Sequence, residues 1–197
     1  MGKIFCLMGK SSTGKDTIFK RLTEDEELNL KTIVSYTTRP IRDGEEEGKE
    51  YFFVDEKRLK ELEDAGRVIE LRAYHTYYGV WKYFTVADEQ MKLSSENYLI
   101  IGTLESFKKT KEYFGADKVV PILITLDDGV RLQRALDREK LQENPKYEEM
   151  CRRYLADTED FSLEKQREAS IGKSFENDDL ESCLQQIKDY IKNGGYE

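Results

Sequence analysis

Ile4-Phe5-Cys6-Leu7-Met8-Gly9-Lys10-Ser11-Ser12-Thr13-Gly14-Lys15-Asp16-Thr17 decides how the rest of the chain is understood. An apolar run enters a loop bounded by Gly9 and Gly14, and a helical pattern follows with Ile18, Phe19 and Leu22 on one face. Strand, glycine-bounded loop and helix are the context that a phosphate-binding loop needs. The glycines let the backbone turn tightly and come close to an anion. The loop and the helix N-terminus aim unpaired N–H groups at one point, where the helix dipole adds partial positive charge. Lys15 adds a full charge for the terminal phosphates of a nucleotide. The residue after such a lysine is ordinarily Ser or Thr, whose hydroxyl meets Mg²⁺. Here Asp16 stands there and Thr17 follows, so either Thr17 or Asp16 is the candidate metal contact, directly or through water.

A chain of 197 residues suits one domain with a substantial core. Charged residues make up 37% and the net charge is −8, which favours solubility and argues against a general nucleic-acid or membrane surface. An acidic protein that handles phosphates must concentrate its arginines locally. Cys6, Cys151 and Cys183 are scattered and read as small buried hydrophobes in a reducing cytosol, not as disulfides or metal ligands. No apolar stretch is long enough to span a membrane. The N-terminus runs straight into the core strand and leaves no room for a cleavable leader, so the expected location is cytoplasmic.

Beyond the first helix, residues 30–34 read as a short strand. The segment 35–45 carries Arg39 and Arg42 around Pro40 and Gly44. Planar guanidinium groups match phosphate oxygens bidentately, and the alternative is pairing with the acidic run Glu45-Glu46-Glu47. Residues 51–54 form a strand, and Asp55 caps a helix carrying Leu59 and Leu62 that ends at Gly66. Residues 68–71 are a strand with Glu70 inside it, a carboxylate that an edge strand would turn to solvent. His75, with no partner in view, reads as a surface residue. Residues 82–93 read as a helix. Strands 98–101 and 119–126 flank a helix over 104–114, and near-continuous apolar runs of this kind belong to a parallel sheet covered on both faces. Asp127-Asp128 starts a helix bearing Arg131, Arg134 and Arg138. After Asn144-Pro145, a helix places Tyr147, Met150, Cys151, Tyr154 and Leu155 on one buried stripe, with Arg152 and Arg153 off it. Asn177-Asp178-Asp179-Leu180 caps a last helix with Cys183, Leu184, Ile187, Tyr190 and Ile191 as its core face.

Taken together, the phosphate loop, the Thr37-Thr38-Arg39 segment and the double arginine resemble the guanylate kinase family in collinear order over nearly the whole chain. The most specific stretch is 35–54, which resembles that family's nucleoside monophosphate site; Tyr77-Tyr78-Gly79 and Asn177-Asp178-Asp179-Leu180 are weaker echoes. The resemblance implies an α/β fold. Its parts would be a parallel-sheet core flanked by helices (about 1–34, 94–135 and 166–197), a small mixed β insertion for the monophosphate (about 35–93) and a helical lid (about 136–165). It implies phosphorylation of GMP or dGMP by Mg²⁺ with ATP, in a monomer or homodimer. ATP would lie on Gly9, Ser11, Ser12, Thr13, Gly14, Lys15, Asp16 and Thr17, with Asn177 near the adenine. Arg39, Arg42, Tyr51 and Tyr78 would hold the acceptor's phosphate, and Ser35, Glu45 and Glu70 would read its base. Lys15, Arg39, Arg134, Arg138 and Arg153 would stabilise the phosphoryl in flight.

The chain departs from the family's pattern at Asp16, at Val80 in place of a hydroxyl, and at Gly102-Thr103-Leu104, where the family has Asp-x-Asp. These departures resemble ribose 1,5-bisphosphate kinases on the same fold, which lack the full segment from Thr37 to Tyr51. A non-catalytic guanylate-kinase-like binding module is the reading of another class, and the intact Gly9, Gly14 and Lys15 oppose it.

Overall fold

A computed structural model of the chain describes residues 2–42, 44–76 and 79–195. Its first elements are β1 (Ile4–Gly9), α1 (Lys15–Thr23), β2 (Leu30–Thr32), β3 (Tyr36–Thr37), β4 (Phe52–Phe53), α2 (Glu56–Asp64), β5 (Val68–Thr76) and β6 (Gly79–Val86). There follow β7 (Asn97–Gly102), α3 (Leu104–Phe114), β8 (Val119–Thr125), α4 (Asp128–Lys140), α5 (Tyr147–Asp160), α6 (Leu163–Glu168), β9 (Ser174–Glu176) and α7 (Leu180–Lys192).

Every residue of β1 is buried. It pairs in parallel with β7 on one edge and β8 on the other, in a parallel sheet ordered β2-β7-β1-β8-β9. Side chains alternate across a strand, so Phe5 and Leu7 enter one core with Ile18 and Leu22 of α1 and Leu184 and Ile187 of α7. Ile4, Cys6 and Met8 enter the opposite core with Leu104 and Phe107 of α3. Burial pushes the Cys6 thiol up to about 12, with the Glu70 carboxylate adding to it, so the sulfur stays a packed thiol. Asp55, Asp127 and Asp179 each accept an N-terminal helix N–H, as the sequence predicts.

A second, mixed sheet is ordered β4-β3-β6-β5. Phe84 and Val86 of β6 meet Leu59 and Leu62 of α2, with Leu71 of β5 packed against them. The helix expected over 82–93 is not formed: its first part is β6, followed by turns. Trp81-Lys82-Tyr83-Phe84-Thr85-Val86 is rich in aromatic and β-branched residues, and β5 offers it an antiparallel ladder along its whole length. The buried stripe expected on α5 is also corrected. No residue of α5 is buried, Leu155 is 69% exposed and Cys151 is exposed. The helix packs beside α4 over the phosphate loop and does not reach the apolar core. Glu70 lies on an edge strand as expected, yet is only 4% exposed, because its face of β5 is turned inward.

Core and lid substitutions therefore differ in cost. Ile122→Ala, at a fully buried position on β8, lowers stability by about 2–5 kcal/mol, whereas Leu155→Ala shifts it by no more than about 0.5 kcal/mol. Urea midpoints of the two variants check this.

Candidate active site

Gly9 ends the central strand and hands the chain to the phosphate loop. Gly14, the N-cap of α1, has φ 86°, and a side chain on it would collide with the Asn177 amide. Ser12 takes φ 65°, a strained value for a residue with a side chain. Thr13 Oγ1 donates to the Lys10 carbonyl (2.8 Å), and Asn177 Nδ2 donates to the Thr13 carbonyl (2.7 Å). Asn177 therefore braces the loop from behind. Lys15 Nζ lies 3.6 Å from Asp16 Oδ1, so the extra carboxylate has a cation beside it. The Asp16 side chain is 75% exposed and Thr17 is exposed. Among the described residues no group of three or more His, Cys, Asp or Glu side chains is placed to hold a metal. Mg²⁺ needs only one or two carboxylates when phosphate oxygens supply the rest, and the accessible Asp16 beside the loop fits that arrangement.

Arg131 of α4 is fully buried next to the loop. It meets Asp128 (3.0 Å), Asp157 (3.4 Å) and the Ser11 carbonyl (3.1 Å), and stacks 4.1 Å over the Tyr154 ring. Asp157 of α5 in turn accepts the Ser11 N–H at 2.7 Å. Among the described residues, Nη2 of Arg131, Oγ of Ser12 and Oδ1 of Asn177 are buried and have no hydrogen-bond partner. Arg138 and Arg153 line a cavity of about 190 Å³ with Ser11, Arg131 and Lys146, and Arg153 Nη2 reaches Ser11 Oγ at 3.4 Å. Arg134 is exposed on α4 and does not line it.

A larger cavity, about 800 Å³, opens between the two sheets. Ser35, Tyr51, Glu70, Arg72, Tyr83 and Thr85 line one side, and Ile100, Ser106 and Thr110 line the other. Glu70 accepts from Thr85 Oγ1 (2.9 Å) and from Arg72 Nε (3.1 Å). Arg39 is buried, with its guanidinium against the rings of Tyr51 and Phe53. Its two terminal nitrogens donate to Glu45 at 2.6 and 2.8 Å, and Glu45 also accepts the Arg42 N–H (2.8 Å). Glu45 thus orients the Arg39 guanidinium, holds the Arg42 backbone and does not line the cavity; the alternative of pairing Arg39 with the acidic run is realised at this one residue. The Arg42 side chain lies 5.8 Å from the Trp81 ring centre. Tyr78 lies outside the described residues.

The departures have structural counterparts. Val80 is exposed and does not line the cavity. A Cβ at Gly102 would collide with the Ser106 hydroxyl and stand 3.0 Å from Cys6 Sγ, so a side chain fits there only if the hydroxyl moves. Thr103 caps α3, its hydroxyl accepting the Ser106 N–H. Sequence reasoning gave no role to Arg72, Arg131 or Asp157. Arg72 was open to discovery, since it stands two places after Glu70 and so shares its face once β5 extends past Leu71.

A phosphate loop leaving the central strand of a parallel sheet, arginine-bearing helices over it, and a second sheet walling a polar cavity define a P-loop phosphotransferase. A family model described as guanylate kinase matches residues 1–82. A guanylate kinase of Mycoplasma mobile is 30% identical, covering 100% of this chain and 95% of its own. One of Porphyromonas gingivalis is 29% identical, covering 97% of each. The crystal structure of guanylate kinase from Anaplasma phagocytophilum superimposes with a TM-score of 0.67 at 21% identity, over 100% of this chain and 87% of that one. The chain belongs to the guanylate kinase family.

The Glu45–Arg39 fork has a pH signature. Hydrogen bonding to Arg39 outweighs burial and holds the Glu45 carboxyl down at about 2. Because the folded value lies below the unfolded one, the stabilisation is present above about 4.5 and is lost as pH falls toward about 2. The stability gap between wild type and Glu45→Gln therefore narrows on acidification, as urea titrations at successive pH values will record.

Proposed function

We propose that this protein transfers the terminal phosphoryl group of ATP to GMP or dGMP, giving ADP and the nucleoside diphosphate. The observation that carries this reading is two buried donors beside the phosphate loop, Arg131 Nη2 and Ser12 Oγ, that have no partner among the described residues. Buried polar groups without partners call for an explanation, and phosphate oxygens would satisfy both. The second support is Glu70, a buried carboxylate facing a cavity of nucleotide size. Ionised, it accepts from the N1–H and 2-amino group of guanine.

In this reading Gly9, Ser11–Thr17 and the bracing Asn177 form the ATP side, with Lys15 on the transferred group. Asp16 or Thr17 would hold Mg²⁺ together with the phosphates, and the ion would supply neutralising charge there. Arg39, Arg42 and Tyr51 receive the acceptor's phosphate, and Ser35 and Glu70 its base. Arg138 and Arg153 come from the helices over the loop, and Arg134 joins them when the helices close. The acceptor is already an anion, so no general base is required, and alignment and positive charge carry the catalysis. This chemistry belongs in the cytoplasm. The second reading, a ribose 1,5-bisphosphate acceptor, draws on the absence of a carboxylate at Gly102-Thr103-Leu104.

ADP release from Mg-ATP with GMP, dGMP, AMP, CMP, UMP and ribose 1,5-bisphosphate tests the assignment. Turnover is expected with the guanine nucleotides, and turnover confined to the sugar bisphosphate overturns it. Lys15→Met lowers kcat by about a hundredfold to a thousandfold with an unchanged melting curve; activity equal to wild type removes the phosphate loop from the mechanism.

A further inference from the structure

We propose that Arg72 is a second base-reading residue of this protein, donating to O6 of guanine while Glu70 accepts from N1–H and the 2-amino group. The inference rests on the guanine-nucleotide reading above. Glu70 and Arg72 stand two residues apart on β5, so their side chains leave the same face of the sheet, and both line the larger cavity. Arg72 holds Glu70 side-on: Nε donates to Oε2 at 3.1 Å, and Nη2 reaches Oε1 at 3.4 Å. Thr85 Oγ1 takes the other flank at 2.9 Å. The Arg72 side chain keeps 29% of its surface accessible, whereas that of Glu70 keeps 3%. Burial opposes the charge on Arg72, but Glu70 and Tyr74 outweigh it and keep the guanidinium protonated.

The hydrogen-bond count explains how a base enters. An ionised carboxylate has about four acceptor positions. Thr85 and Arg72 Nε use two of them, and the long 3.4 Å contact uses a third weakly. Exchanging that one contact opens two positions on Glu70 and frees one donor on Arg72. Guanine's N1–H and 2-amino group fill the two positions on Glu70 and its O6 takes the freed donor on Arg72, so the exchange leaves none of these groups without a partner. Adenine brings an acceptor at N1 and a donor at the 6-position, which opposes like to like at both residues. The α3 hydroxyls across the cavity are already engaged on their own helix. Ser106 Oγ donates to the Thr103 carbonyl (3.0 Å) and Thr110 Oγ1 to the Ser106 carbonyl (2.7 Å). The other lining lysine or arginine, Lys49, is 66% exposed and pairs with Glu46.

The test compares GMP with 6-thio-GMP, which keeps N1–H and the 2-amino group but carries a weak acceptor at the 6-position. Wild type is expected to favour GMP in kcat/KM by about tenfold or more, the worth of one hydrogen bond to a charged group. Arg72→Met loses that factor on GMP and uses the two acceptors equally. The KM for ATP stays fixed, and so does the preference for GMP over IMP, which reports the 2-amino contact of Glu70. Arg72→Lys, which keeps a cationic donor, retains part of the GMP over 6-thio-GMP preference and covers the case in which Arg72→Met does not fold. Equal losses on GMP and 6-thio-GMP in both variants would make Arg72 a buttress of Glu70 and overturn the proposal. A gain in GMP turnover would make it a plug and also overturn it. Wild type inactive on every guanine nucleotide removes the underlying reading and this proposal with it, whereas an active wild type with an unaltered Arg72→Met overturns this proposal alone.

Discussion

Parallel hydrogen bonding along both edges of β1 is the constraint on which the rest of the molecule depends. With β7 and β8 paired to it and helices over both faces, the strand has no freedom to slide or turn. A one-residue slip would exchange the side chains of its two cores. Gly9 is therefore delivered to one place, and the loop beyond it starts from a rigid base. The far end of the loop is fixed by the last strand of the same sheet, since Asn177 follows β9 and holds the Thr13 carbonyl. First and last segments of the sheet thus clamp one short stretch of backbone, which is what a site that aims several N–H groups at one anion requires.

Around that fixed point, charge is arranged in two different ways. Next to the loop, Arg131 is surrounded by Asp128, Asp157 and a carbonyl, and still leaves one donor without a partner among the described residues. By the second sheet, Arg39 is locked by Glu45 into a bidentate fork between aromatic rings. A buried guanidinium without such partners would be costly. In both cases a carboxylate sets the direction of an arginine before any substrate arrives, so little reorganisation is left for the moment of binding.

The sheet core and the loop were legible because their signals are local. A continuous apolar run, paired glycines and Asp caps need no knowledge of distant partners, and Ile4–Gly9, Gly14, Asp55 and Asp179 all follow from them. The second sheet was less legible because its strands are defined by each other. Residues 82–86 show an apolar pattern that fits a helix until β5 supplies the ladder. Ending β5 at Leu71 also hid Arg72, which gains meaning only as the next inward position after Glu70. On α5 the helical period is real but nothing apolar lies beneath it, so a stripe of Cys151 and Leu155 meets solvent. Arg131 and Asp157 come from separate helices and converge on Ser11 only in three dimensions.

The close packing around Gly102 bears on how this part of the site responds to replacement. A Cβ there would meet the Ser106 hydroxyl and Cys6 Sγ, and that hydroxyl belongs to the cap of α3. A side chain at Gly102 must displace the Ser106 hydroxyl, which accepts the Thr103 N–H at the start of α3. A replacement at Gly102 therefore moves Ser106 as well and is felt at the start of α3. The end of β7 and the first turn of α3 are in this way one unit, and the place where the chain lacks a carboxylate is tied to the start of a helix.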